Sequence, residues 1–211
     1  MSRAGAGWVV VIPVKPLPEA KTRLATGTPQ DRRDLALAFA LDTVAAARAC
    51  EPVAAVVVVS DDADVRVAVS ALGALTVDDG TGGLNAALER GAAHAIASYP
   101  ELGVAALAGD LPALRPHELA HALEAAAGVE RGFVADAAGT GTTLLTALPG
   151  VPLDPRFGPR SRAAHAVSGA VALDPGVVPG LRRDVDTTVD LWDAARAIED
   201  DVARINPLGA A

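Results

Sequence analysis

Val9-Val10-Val11-Ile12-Pro13-Val14-Lys15-Pro16-Leu17-Pro18-Glu19-Ala20-Lys21-Thr22-Arg23-Leu24 is the stretch whose reading decides the fold. It opens as a short apolar run, rich in β-branched residues and too short for a helix, and so reads as a fully buried strand. It closes as a proline-punctuated loop with three cations, Lys15, Lys21 and Arg23, against one anion, Glu19. The remainder of the chain is acidic. In an open α/β sheet, ligands bind where loops leave the carboxyl ends of parallel strands. The loop is therefore expected to cradle a nucleotide triphosphate.

Outward from this loop, the chain alternates apolar runs with helical spacing. Thr28-Pro29-Gln30 offers a cap and a first-turn proline, and Leu37, Leu41, Val44 and Ala45 continue at helical spacing to about Ala49. Ala54 to Val59 reads as a second buried strand. Ser60-Asp61-Asp62 caps a short helix carrying Val65, Ala68 and Val69, and Ala74 to Val77 reads as a third strand. The glycine-rich loop Asp78 to Gly83 leads into a helix from Leu84 to about Ser98. Val104 to Ala108 is a fourth strand, closed by Gly109-Asp110-Leu111-Pro112, and Pro116 opens a helix to about Ala127. Strand and helix alternate four times, which predicts a mostly parallel sheet with helices on both faces.

The alternation then breaks. Phe133 to Ala135 and Thr142 to Ala147 read as two strands around a turn. A Pro/Gly/Arg-rich loop runs from Pro149 to Arg162, followed by a short helix and a strand near Ala170 to Leu173. Thr187 or Thr188 is expected to cap a last helix carrying Val189, Trp192, Ala195 and Ile198. No repeat or linker divides the chain, so one domain over residues 1–211 is expected, with a second substrate shaped where the pattern breaks.

Composition narrows the function. Hydrophobic residues make up 51% of 211 residues and aromatics only 3%, so the core is built from Val, Leu and Ala. The net charge of -8 argues against broad nucleic-acid or anionic-membrane binding, both of which need a basic surface. It is compatible with a small polyanion in a local basic pocket. The single Cys50 forms no intramolecular disulfide and excludes paired-cysteine zinc sites, and a reducing cytoplasm fits. The first apolar run, interrupted by Pro13 and Lys15, makes a poor signal peptide, and no run reaches the ~18 residues of a membrane span.

Four groups of residues carry a likeness to a known family. They are Ile12-Pro13-Val14-Lys15-Pro16-Leu17 with Ala20-Lys21-Thr22-Arg23-Leu24, then Gly109-Asp110-Leu111-Pro112-Ala113-Leu114, then Phe157-Gly158-Pro159 with Ser161, and Asp184-Val185-Asp186-Thr187. In this order and spacing the chain resembles the guanylyltransferases of coenzyme F420 biosynthesis. The resemblance implies an α/β, Rossmann-like nucleotidyltransferase fold of the nucleotide-diphospho-sugar transferase type. It implies GTP and a phosphorylated three-carbon acid, phosphoenolpyruvate or 2-phospho-L-lactate, as substrates, with pyrophosphate as a product. The other product, a reactive diphosphodiester, suggests a transient hand-over to the next enzyme of the pathway.

Such a transfer needs cations on the triphosphate, a metal bridging phosphates and an in-line nucleophile, which the acceptor's own phosphate provides. Lys15, Lys21 and Arg23 are the candidates for the triphosphate. Many nucleotidyltransferases carry a glycine-rich loop here, whereas this loop is rich in Pro and Leu, a departure the resembled family shares. Asp184 and Asp186, two apart, share a face if extended. With Asp110 they carry over from the family as carboxylates for Mg²⁺, a cation that keeps waters and takes few protein ligands. Asp110 and Asp186 would equally suit turn and cap roles. Gly82, Gly83 and Asn85 suit base recognition, through close backbone approach and an amide that reads a base edge; guanine is implied by the resemblance alone. A tight turn with Asn85 as its cap would use the same residues. Thr142, Gly158 and Ser161 fall where the family binds the phosphorylated acid. Gly158-Pro159-Arg160-Ser161 would also open a helix whose free amides attract anions, with Arg156, Arg160 and Arg162 adding positive potential.

Two rival readings use the same residues. One is a nucleotidyltransferase for a sugar phosphate or a molybdopterin. The other is a non-catalytic nucleotide-binding protein, whose carboxylates need not converge. His117-Glu118-Leu119-Ala120-His121 matches a zinc-protease pattern on a helix, but without a third ligand it reads as an ordinary helix face. His94 and His165 read as packing or surface residues.

Overall fold

The structure is a computed structural model that describes residues 7–15, 28–80 and 82–184. Lys21, Arg23, Asp186 and the expected helix around Trp192 lie outside the described residues. Among the described residues seven strands form one sheet: β1 (Trp8–Pro13), β2 (Val53–Val59), β3 (Leu75–Val77), β4 (Gly103–Leu107), β5 (Arg131–Ala135), β6 (Thr142–Ala147) and β7 (Val171–Ala172). Their order is β3-β2-β1-β4-β6-β5-β7. β6 runs antiparallel to both of its neighbours, and the other pairings are parallel.

Among the described residues six helices accompany them: α1 (Pro29–Arg48), α2 (Ala63–Ala71), α3 (Gly83–Ser98), α4 (Pro116–Ala126), α5 (Ser161–Val167) and α6 (Pro179–Arg182). Their starts follow local chemistry. Thr28 caps α1 in a capping box with Asp31, whose carboxylate accepts the Thr28 amide at 2.6 Å. Asp62 caps α2 by accepting the amides of Asp64 and Val65. The expected elements within the described residues are all present. The four-residue α6 has no counterpart in the sequence reading; Pro179 at its start was its one local signal.

Alternation along the strands sorts the core into two layers. Val10, Ile12, Val56, Val58 and Leu107 pack with α1, α2 and α4. Val9, Val11, Val57, Val59 and Ala106 face the other way, against α3. Each central strand is buried on both sides, as a parallel sheet between helical layers requires. Among the described residues, no helix is long and apolar enough to cross a membrane.

The chain reverses its direction of sheet growth between β1 and β4. It runs outward through β2 and β3, then returns to β4 on the other side of β1. That is a topological switch point, which places a crevice beyond the carboxyl ends of β1 and β4.

Candidate active site at the carboxyl rim

Lys15 and Asp110 leave the two strands that flank this crevice. β1 and β4 pair with Val9 opposite Val104 and Val11 opposite Ala106, an offset of 95 residues (104 − 9). Carried four residues beyond the ladder in each strand, the same offset would match Lys15 with Asp110. The strand exits are tightly apposed: a Cβ on Gly109 would lie 2.6 Å from the Pro13 carbonyl oxygen. Lys15 is exposed and Asp110 half-buried. The turn after Asp110 is pinned by Thr43, whose Oγ1 accepts the Leu111 amide at 3.0 Å while donating to the Phe39 carbonyl.

Asp184 follows α6, which is tied to the same rim. The Gly180 amide donates to Glu118 at 2.9 Å, and a Cβ on Gly180 would overlap the Ala113 carbonyl, three residues past Asp110. Arg182 then grips the end of β5, its guanidinium donating to the carbonyls of Ala135 and Asp136 at 3.0 Å. Glu118, in the middle of the zinc-protease-like pattern, is 3% exposed and accepts the amides of Arg115 and Gly180. It faces the interior, whereas His117 and His121 are exposed with ring centroids 6.0 Å apart. Among the described residues, no three His, Cys, Asp or Glu side chains form a metal-binding group. Asp110 and Asp184 offer hard oxygen donors at one rim, a donor set that fits a cation held mainly by phosphate oxygens and water.

The reversed β6 delivers Thr142 to the rim, because its first residue rather than its last lies beside the end of β4; the Ala108 amide donates to the Thr143 carbonyl at 2.8 Å. The β5–β6 ladder is bulged. Val134 opposes Leu144 but Ala135 opposes Thr142, which leaves Thr143 as the extra residue. Strict alternation would put Thr142 on the face of Leu144, which packs with α4. The bulge turns it to the α5 face, where its Oγ1 lies 2.9 Å from Nδ1 of His165.

His165 is fully buried, and its ring packs against Phe133 and Phe157. Its Nε2 accepts the Arg156 amide at 2.9 Å. Burial, with Arg131 beside it, pushes the imidazole from the usual 6.5 down to about 4. The next residue, Phe157, exchanges two hydrogen bonds with Asn85. Its amide donates to Oδ1 at 2.8 Å and its carbonyl accepts from Nδ2 at 3.0 Å. The Asn85 amide group thus fastens the loop that carries Phe157 to α3, with Gly82 and Gly83 just ahead of it in the left-handed region that glycine adopts freely.

At α5 the anticipated mechanism changes. The amides of Ser161, Arg162 and Ala163 donate to the carbonyls of Gly158, Thr140 and Arg160. An anion at this rim would meet side chains such as the Thr142 hydroxyl rather than free helix amides. Asp154 and Arg160, the non-glycine residues with positive φ among those described, both sit in the same loop as Gly158. Such strain gathers where the surrounding structure fixes a site. The cross-chain ties of His165, Arg131 and Arg182 escaped the sequence reading, since partners 23 or 47 residues away leave no local spacing to find.

Comparisons with known proteins identify the family and the fold. Residues 8–160 match the family described as guanylyl transferase CofC like. A phosphoenolpyruvate guanylyltransferase of Thermomonospora curvata is 56% identical over 185 residues, covering 87% of this chain and 81% of the relative. The enzyme of the same name from Streptomyces coelicolor is 56% identical over 189 residues, covering 89% of each. Among solved structures, CMP:2-keto-3-deoxy-manno-octonic acid synthetase complexed with CTP aligns with a TM-score of 0.58 at 15% identity, over 93% of this chain and all of that one. The Mycobacterium tuberculosis protein Rv0371c, in complex with manganese, aligns with a TM-score of 0.55 at 21% identity, over 90% of this chain and 98% of its own. At these identities the two structures establish the fold, an α/β nucleotidyltransferase sheet.

Proposed function

The chain belongs to the CofC-like guanylyl transferase family, and we propose that it couples GTP to phosphoenolpyruvate, or to 2-phospho-L-lactate, with release of pyrophosphate in coenzyme F420 biosynthesis. What supports the reading most is topology: β1, β4, β6 and α6 lead the segments bearing Lys15, Asp110, Thr142 and Asp184, from distant parts of the chain, toward one rim over the switch point. Relatives that cover most of the chain bear the corresponding name.

In this reading Lys15, with Lys21 and Arg23, offsets the triphosphate charge. Asp110 and Asp184, with Asp186, would hold Mg²⁺, which neutralises phosphate oxygens when bound. Gly82, Gly83 and Asn85 shape the base side, with Asn85 acting through the loop it fastens. Thr142, Gly158 and Ser161 line the acceptor side. An acceptor phosphate oxygen forms a bond to the α-phosphorus, the bond from that phosphorus to the α–β bridging oxygen breaks, and pyrophosphate leaves. Two anions must be held together, so positioning and charge compensation dominate the catalysis.

Pyrophosphate release with GTP, Mg²⁺ and each acceptor in parallel tests the proposal. Release with phosphoenolpyruvate is expected, and a nucleotide panel separates guanine from cytosine transfer. No release with either acceptor would sink it.

A further inference from the structure

We propose that His165 is a positioning residue for the acceptor: its imidazole turns the Thr142 hydroxyl proton toward the acceptor's anionic oxygens and locks that hydroxyl to the loop that reaches Asn85. The inference rests on the reading of Thr142 as an acceptor contact.

The donor and acceptor inventory forces the direction. Nε2 receives the Arg156 amide at 2.9 Å and therefore carries no proton. The neutral ring then holds its proton on Nδ1, which donates to Thr142 Oγ1 at 2.9 Å. A threonine hydroxyl has one proton and two lone pairs. With the imidazole filling a lone pair, the Thr142 proton has no acceptor on the ring and must point elsewhere. At a rim built to hold an anion, a donor fixed in this way makes a charge-assisted hydrogen bond without reorganising. The ring itself has little freedom, being fully buried with the Phe157 ring centroid 5.0 Å away and that of Phe133 6.0 Å away.

The same imidazole links two regions. From Thr142 the path runs through His165 to the Arg156 amide, then one residue on to Phe157 and across to Asn85 at the start of α3. The charged groups bearing on the ring are Arg131 from β5 and Asp154 and Arg156 from the loop. Arg131 also binds Asp154 and the Ser168 carbonyl, which brackets the ring from behind. A second proton on the imidazole would set Nε2–H against the Arg156 N–H and release the loop.

Two variants separate the roles. Glutamine places an acceptor near the Nε2 position, and asparagine places a donor near Nδ1. Calorimetry with phosphoenolpyruvate and Mg²⁺, without GTP, should show His165→Gln binding about tenfold more weakly or worse, with His165→Asn closer to the wild type. In turnover, His165→Gln should raise the acceptor KM while leaving the GTP KM within about twofold. Combined with Thr142→Val it should cost less than the sum of the two single losses. Equal weakening toward GTP and acceptor, or full additivity with Thr142→Val, would overturn the proposal. On the unaltered protein, ¹⁵N shifts of the imidazole should report the Nδ1–H form; an Nε2–H form would overturn it even if both variants failed to fold. Wild-type protein that binds phosphoenolpyruvate but releases no pyrophosphate would refute the proposed reaction and leave this inference standing. Unchanged acceptor affinity in His165→Gln would do the reverse.

Discussion

From Val9 to Ile12 in β1 and from Val57 to Val59 in β2, every side chain is fully buried among aliphatic neighbours. Beyond β4 the sheet is held differently. Arg131 binds Asp154 at 3.1 Å and the Ser168 carbonyl at 2.6 Å, Asn85 clasps Phe157, His165 bridges Thr142 and Arg156, and Arg182 grips the end of β5. The parallel half depends on non-directional burial, which tolerates volume-conserving change. The half beyond β4 depends on directional bonds, where losing a partner leaves a buried group unsatisfied. The first serves as a frame; under the proposed function the second is the gauge that measures the acceptor.

The sharpest way to break this contrast is to remove one carboxylate from each half. Asp110→Asn and Asp184→Asn should each lower pyrophosphate release by about 10²-fold or more, with thermal midpoints little changed. Equal losses would make the halves one site. Retention of activity in Asp184→Asn would reduce the second half to scaffold.

Stability should expose the contrast next. Glu118→Ala strands the amides of Arg115 and Gly180 and should cost roughly 2–5 kcal/mol by denaturant unfolding. Leu107→Met, a nearly isosteric change at a fully buried position of β4, should cost under about 1.5 kcal/mol. A reversal of that order would erase the distinction.

Acidity acts on the directional half through His165, which is fully buried. Its folded value, about 4, lies below the ordinary 6.5. As pH falls, the unfolded chain therefore takes up the proton first. The stability from neutral His165 is complete above 6.5, is lost between 6.5 and about 4, and levels off below. The loss should approach roughly 3 kcal/mol at most. Unfolding curves across this range should flatten in His165→Asn, and an unchanged slope would refute the assignment.

The smallest effect concerns Thr143, whose hydroxyl is buried at 1% exposure without a hydrogen-bond partner. Thr143→Val should leave the protein as stable or about 1 kcal/mol more so. Weaker phosphoenolpyruvate binding in that variant would instead give the hydroxyl a ligand to satisfy.

These halves were unequally legible from sequence. Apolar runs such as Ala54 to Val59 state their own burial, and Thr28-Pro29 and Asp62 announce helix starts by local chemistry, so the strands and the helices around them followed directly. The rim position of Asp110 followed from its place after a parallel strand. By sequence His165 reads as a packing or surface residue, and it is packed, but its two bonds reach residues nine and 23 positions away. No periodicity encodes such bonds. Free amides at the start of α5 were a reasonable expectation that failed because the Thr140 and Gly158 carbonyls, brought in by loop closure, engage them first. Lys21, Arg23 and Asp186 stay as expectations carried by the resemblance.

The bulge at Thr143 ties the proposed acceptor side to strand register as well as to chemistry. Deleting that one residue would close the bulge and seat Thr142 next to Leu144 in regular alternation, on the layer it already faces. Losing the bulge with Thr143 retained would instead pair Thr143 with Ala135 and carry the Thr142 hydroxyl to the opposite layer. A relative could thus lose this contact by a one-residue register slip that leaves every side chain in the sequence.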